Sequence, residues 1–308
     1  MPESSDNLTV SVVVPVYNGA EIIEDCIEAL LCQVFTPGQF EIIIVNNRST
    51  DGTQEIIDRY PVRSLYESKR GPAAARNAGI RASTAKFVAF TDADCIPHND
   101  WLAKLISSMT DSVCGAGGQI VSYYQDDVVS SFIDQIVFRQ RYNILQKSPP
   151  HITTANACYR RTSLEKIGLF DESFPFAAGE DRDLGERLAI AGETFVFAED
   201  AIVRHKHPQT LEGFYQQRFR HASGQFYASL KKHRKISFSQ MLKEIDSGRL
   251  INLGFRVVFC NSSKQEKFRR WLQFIDSAAY TNGLIWRYLM YLCWNNFSHS
   301  RRQQKEKL

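Results

Sequence analysis

The 308-residue chain is 44% hydrophobic and 23% charged, which suits one large core with an appendage and excludes a largely disordered chain. Its net charge of +3 hides an asymmetry: residues 231–308 hold 16 Lys/Arg against 5 Asp/Glu, a net of +11, while residues 1–230 hold 21 against 29, a net of −8. Seven cysteines with no CxxC pair, no metal-type Cys/His spacing and no secretory leader argue against a disulfide or zinc scaffold; they predict a reducing, cytoplasmic setting with Cys26 and Cys32 as free thiols.

Residues 10–16 (VSVVVPV), 41–45 (EIIIV) and 86–90 (KFVAF) are short β-branched or aromatic runs separated by stretches of helical periodicity, the pattern of a parallel sheet with right-handed crossovers. Ile23, Cys26, Ile27, Leu30, Leu31 and Val34 are predicted to form one helical stripe, and Leu102, Leu105, Ile106 and Met109 another. In such sheets ligands bind outside the carboxyl ends of the strands, so the residues just after each strand are the place to seek chemistry. The reading is an α/β domain over 1–230, with a nucleotide-binding half at about 8–110 and an acceptor half at 111–230 that has longer strands and a turn at Pro149–Pro150.

Residues 231–308 are predicted to be a basic, aromatic-rich helical extension. Phe268, Trp271, Phe274, Tyr280, Trp286, Tyr288, Tyr291, Trp294 and Phe297 alternate there with Arg269, Arg270 and Arg287. An anionic membrane interface and a helix packed on the catalytic domain both fit, whereas nucleic acid fits less well. The stretch 278–294 is too short, and too interrupted by Thr281, Asn282 and Arg287, to span a bilayer. The run KKHRK at 231–235 reads as a solvated surface and the terminal RRQQKEKL as a frayed end.

The first strand ends in Pro15, Val16, Tyr17, Asn18 and Gly19, where a dinucleotide fold would need G-x-G-x-x-G, so nicotinamide and flavin cofactors are disfavoured. The second runs into Asn46, Asn47, Arg48, Ser49, Thr50 and Asp51, able to hold a base and ribose; Ser49, Thr50 and Asp51 also suit capping. Asp92 and Asp94, at i and i+2, would project to the same side of an extended segment and share one Mg²⁺ or Mn²⁺. In 179–191 the helical spacing puts Asp181 with Leu184 and Leu188 on the inward face, as a buried cap or a catalytic base, and pairs Asp183 with Arg187. His205, sharing parity with Ala201, Val203 and His207, is a candidate metal ligand. Arg218 and Arg220 suit phosphate or a solvated face equally. Thr154, Asn156, Tyr159 and Glu180 are placed on the acceptor side, and no role is expected of Cys95.

VPVYNG, NNRSTDGT, ARNAG, TDAD and GEDRDLGERL, in this order over roughly 10–225, together resemble the family 2 glycosyltransferases, whose catalytic domain has the GT-A fold. The resemblance implies an inverting hexosyl transfer from a nucleoside diphosphate sugar to a glycan or lipid-linked acceptor hydroxyl in glycoconjugate synthesis. UDP is the first expectation, with GDP or dTDP as alternatives. It further implies that Pro15, Tyr17, Asn46, Asn47, Ser49, Arg76, Asp92 and Arg220 serve the donor, with Asp92 facing the ribose. Asp94 and His205 would hold the metal and Asp181 would be the base. Two departures stand out. Both residues of the second turn are asparagine where the family has at least one aspartate, and Gln217–His221 replaces the Trp of the processive QxxRW signature, which predicts single additions. A rival reading is a non-catalytic scaffold that binds nucleotide sugar or membrane partners; a nucleotidyltransferase would want a Gly- and Arg-rich loop that VPVYNG does not supply.

Overall fold

A computed structural model describes residues 8–36, 38–134, 152–174, 177–233 and 271–290. The turn expected at Pro149–Pro150, the terminal RRQQKEKL and the aromatic or basic positions 268–270, 291, 294 and 297 lie outside these, as do the last two residues of KKHRK. The chain forms two compact units, Met1–His207 and Pro208–Leu308.

In the first unit an eight-stranded sheet has the order β3-β2-β1-β4-β7-β6-β8-β5. Strands β1 (Val10–Val16), β2 (Phe40–Asn46), β3 (Arg63–Tyr66) and β4 (Phe87–Phe90) are mutually parallel where they pair; β1, β2 and β4 fall where the apolar runs predicted strands, while the polar β3 was not expected. β1 is buried along almost its whole length, so it reads as a continuous Val-rich run rather than an alternation. Helices α1 (Ile23–Leu31), α2 (Thr53–Ile57), α3 (Pro72–Ala82) and α4 (Trp101–Ser107) connect or follow these strands. Burying each large aliphatic of this core is worth about 1.5–3 kcal/mol.

The predicted stripe on α1 is narrower than expected. Ile23, Cys26, Ile27 and Leu30 are buried, but Leu31 and Val34 are exposed. Leu31 lies 100° round the helix from Leu30, and Val34 stands beyond the C-cap at Cys32. On α3, Gly79 is required by close approach: a Cβ there would come within 2.3 Å of Val13 on β1.

Beyond β4 the directions mix. β7 (Ala157–Arg160) is antiparallel to both β4 and β6 (Gly115–Ser122), β8 (Phe195–His205) runs parallel to β6, and the short β5 (Cys95–Pro97) is antiparallel to β8. α5 (Val128–Ile133), α6 (Arg161–Lys166) and α7 (Glu180–Ile190) complete the described part of this unit.

In the second unit α8 (Leu211–His233) packs against a helix over 271–290, here α9. α8 runs unbroken through residue 230, the position where a domain boundary was expected, and the division between compact units falls at His207. Ala222, Phe226, Leu284 and Tyr288 form the shared core. Gly283 lets the helices approach, since a Cβ there would stand 2.7 Å from that of Ala222. Arg218 pairs with Asp276, and Asn282 Nδ2 donates to the Tyr215 hydroxyl at 2.9 Å. Among the described residues no helix is long and apolar enough to cross a membrane.

Candidate donor and metal site

The turns after β1 and β2 are laced to each other by side chains. Asn18 and Arg48 take left-handed φ values of 49° and 65°, which bends each chain back at a strand end. Ser49 Oγ accepts from Asn18 N and Asn18 Oδ1 from Thr50 N, both at 2.9 Å; Asp51 accepts from Ala20 N at 3.1 Å and from Thr53 N at 3.2 Å. Of the expected caps, only Asp51 reaches into the first turn of α2, and Ser49 and Thr50 join the two turns instead.

Asn46 and Asn47 have a different employment from the base reading expected of them. Asn46 is buried, donating to Gln54 Oε1 at 2.7 Å and accepting from Ser49 N at 2.9 Å. Asn47 is buried too; its amide donates to the carbonyls of Glu67 (3.1 Å) and Lys69 (2.7 Å) and its oxygen accepts from Gly71 N at 2.7 Å. Each amide spends part of its hydrogen-bonding capacity on these turns: Asn46 keeps one N–H and one lone pair, and Asn47 keeps one lone pair. What Asn47 builds is the loop 67–71, and this loop carries a residue that the sequence reading missed. Arg70 lies over the Tyr17 ring at 4.7 Å and donates to its hydroxyl at 3.1 Å. Both side chains are exposed, which leaves a planar ring and a guanidinium facing solvent beside partly buried Pro15. The signal was a basic pair, Lys69–Arg70, directly after a strand.

The DxD segment is a turn, not an extended strand end: Cys95 N donates to the Asp92 carbonyl at 3.0 Å, and β5 begins at Cys95. The two carboxylates have different partners. Asp92 Oδ1 accepts from Arg76 at 2.9 Å, whereas Asp94 Oδ1 stands 3.5 Å from His205 Nε2. Register explains the second pairing. Cys95 on β5 is opposite His205 on β8, and Lys206 N donates to the Asp94 carbonyl at 2.9 Å. The His205 ring stacks on buried His207, centroids 4.4 Å apart.

Asp94, Cys95 and His205 bring one ligand atom each within 4.8 Å of one another. Burial raises the Asp94 carboxyl above its ordinary range, His205 opposes that and Asp92 adds to it, so a bound cation would favour its charged form. Burial and the Asp94 charge hold the Cys95 thiol protonated, a poor ligand for a hard ion. The remaining pair, a carboxylate oxygen and an imidazole nitrogen, could hold a divalent cation.

Arg76 is the joint of the site. Almost wholly buried at 4% exposure, it donates to Asp92 on one side and to Glu180 at 2.7 Å on the other. Its neighbours in ARNAG are equally committed, since Asn77 donates to the Phe170 carbonyl (2.9 Å) and to Glu172 (2.8 Å). Glu180, expected on the acceptor side, is turned inward to Arg76, and burial pushes its carboxyl up against the pull of that guanidinium. Asp181, the next residue, is half-buried at the start of α7, while Leu184 and Leu188 are buried and Asp183 pairs with Arg187 at 2.8 Å as predicted. Asp181 lies close enough to Tyr159 for its charge to add to the burial that raises the phenol.

The other residues expected on the acceptor side are packed inside the domain. Asn156 is 1% exposed, accepts from Trp101 Nε1 and donates to the carbonyls of Gln119 and Ala201, each at 2.8 Å. Thr154 and Tyr159 are buried as well. Arg220 is exposed on α8 in the second unit.

A mostly parallel sheet flanked by helices, with Asp94 and His205 brought together at its strand ends, defines a GT-A domain. It belongs to glycosyl transferase family 2, whose sequence profile matches residues 11–168. The chain is 31% identical over 204 residues to glycosyltransferase AglE of Haloferax volcanii, covering 64% of this chain and 66% of that protein. It is 28% identical over 222 residues to the pre-mycofactocin glycosyltransferase of Mycobacterium tuberculosis, covering 68% and 45%. The chain thus spans just under two thirds of the first relative's length and under half of the second's. Among solved structures, the mannosyltransferase PcManGT of Pyrobaculum calidifontis, in complex with GDP-Man and Mn²⁺, superposes with a TM-score of 0.64 at 21% identity, covering 90% of this chain and 87% of that one. TarS 1–349 of S. aureus with UDP-GlcNAc does so at 0.52 and 17%, covering 90% of each chain.

Proposed function

We propose that this protein is an inverting glycosyltransferase that moves a hexosyl group from a nucleoside diphosphate sugar to the hydroxyl of a glycan or lipid-linked acceptor, one sugar at a time, in glycoconjugate synthesis. The observation that carries this reading is the Asp92–Arg76–Glu180 tie. It fixes the turn bearing Asp94 and the helix start bearing Asp181 to opposite sides of one buried guanidinium.

In this reading Tyr17 offers a ring face to the base, Arg70 meets the diphosphate, and Asp92, steadied by Arg76, faces the ribose. Asp94 and His205 would hold Mn²⁺ or Mg²⁺, which when bound neutralises charge developing on the leaving diphosphate. The Asp181 carboxylate accepts the acceptor hydroxyl's proton as the oxygen attacks the anomeric carbon. The bond from that carbon to the diphosphate breaks on the opposite side, and configuration inverts. The nucleotide sugars bound by the structural neighbours, GDP-Man and UDP-GlcNAc, support a nucleotide-sugar donor without choosing its base. The five described cysteines are free thiols, which supports a cytoplasmic setting. The scaffold reading drew its support from the double asparagine; with both amides employed in building turns, that support falls away.

The test is release of nucleoside diphosphate from a panel of UDP-, GDP- and dTDP-sugars with Mn²⁺. One donor should turn over, and Asp181→Asn should slow transfer by about 10²- to 10⁴-fold. A folded Asp181→Asn protein with an unchanged rate would remove the base assignment.

A further inference from the structure

The two helices of the second unit present opposite kinds of outer surface. The exposed residues of α8 are polar: Glu212, Gln216, Arg220 and Lys231. Those of α9 are apolar, with Trp271 36% exposed, Ile285 38%, Trp286 54%, Leu289 50% and Met290 52%. At 100° per residue these five fall within an arc of about 140°, on which Asn282 is the one exposed polar residue. Leu284 and Tyr288, on the opposite side of α9, are buried against α8, and the exposed arc ends beside buried Leu272 and Ala279, so the helix has met its core and carries a second apolar face.

We propose that this outer face of α9 is a membrane-docking surface that lies in the headgroup region of an anionic bilayer. Two tryptophans beside aliphatic side chains suit an interface where one end of a ring is apolar and the other wet. Charge selects the occupant. Lys264, Lys267, Arg269 and Arg270 precede α9 in the sequence, Arg301, Arg302, Lys305 and Lys307 follow it, and residues 231–308 carry a net +11 from 16 basic and 5 acidic residues. A second copy would bring the same excess of positive charge against itself, whereas anionic lipid satisfies the apolar face and the basic flanks together. α9 is also among the helices that are not long and apolar enough to cross, so it lies on the surface rather than through it.

Flotation of the full chain with phosphatidylcholine vesicles containing a minority of phosphatidylglycerol tests this. The wild type should float with these vesicles, and only weakly with pure phosphatidylcholine. Trp286→Ser/Leu289→Ser, and separately Trp271→Ser/Ile285→Ser, should weaken partitioning by about tenfold or more, while nucleoside diphosphate release in vesicle-free buffer stays at the wild-type rate. Equal flotation of both variants and wild type would overturn the assignment, as would a wild type that never floats. A wild-type dimer that the substitutions turn into a monomer would overturn it in favour of self-association. Flotation is read without any donor, so its failure and a failure of the transferase reading are separate results.

Discussion

Around β1 and β2, the motif residues Asn18, Asn46, Asn47, Ser49, Thr50 and Asp51 bond to one another and to nearby side chains and backbone, while the exposed Tyr17 and Arg70 pair with each other. Around β5 and β8 few polar residues are present, and they meet by register: Asp94 beside Cys95, His205 opposite it. The first region engages most of its conspicuous residues in holding the two turns together. The second brings single groups face to face across paired strands. The same motif pattern in a sequence thus covers two different structural uses.

The joint between the regions is where the comparison breaks most sharply. Arg76→Met would leave Asp92 and Glu180 without their shared partner in a buried setting, at a cost of about 3–5 kcal/mol. In the folded fraction, loss of the tie should slow transfer by roughly 10²-fold through misplacement of about 1 Å. Urea unfolding and single-turnover rates report the two effects separately, and Arg76→Lys should recover part of each. A normal rate in Arg76→Met would show that the two regions are held together without it.

A smaller effect sits at the clasp between loop 67–71 and residue 172. Glu172 accepts from Asn77 first and from Lys69 at 2.7 Å, and these partners lower its carboxyl to about 2 from an ordinary 4.5. Because the folded value lies below the unfolded one, its contribution is complete above pH 4.5 and is lost as the pH falls toward 2. Glu172→Gln should cost about 1 kcal/mol or less at neutral pH, given solvent screening. Its unfolding free energy should converge with the wild type's as the pH drops through that window. A difference that stays constant with pH would mean that the clasp is not electrostatic.

Much of the parallel half was legible in the sequence. VSVVVPV and the runs at 41–45 and 86–90 are strands within a residue of their expected bounds, because strands buried on both faces must be apolar throughout. The start of α7 and the Asp183–Arg187 pair followed from helical spacing alone. What was not legible depended on long-range pairing. Nothing local says that β5 lies antiparallel to β8, that Arg76 spends both ends on carboxylates 16 and 104 residues away, or that Asn156 is used up by Trp101 and two carbonyls. Asp92 and Asp94 were expected to share a cation on an extended chain; a turn at Asp92–Cys95 separates them, and such a turn is not visible in a period of two.

The measurement that tests the central claim most directly is a thermal-shift panel of UDP, GDP, dTDP and CDP with and without Mn²⁺, on wild type and Asp94→Ala. The account predicts that one nucleotide stabilises the wild type only when the metal is present, and that Asp94→Ala, equally folded, loses that metal-dependent stabilisation. Stabilisation of Asp94→Ala by the same nucleotide and Mn²⁺ to the wild-type extent would contradict it.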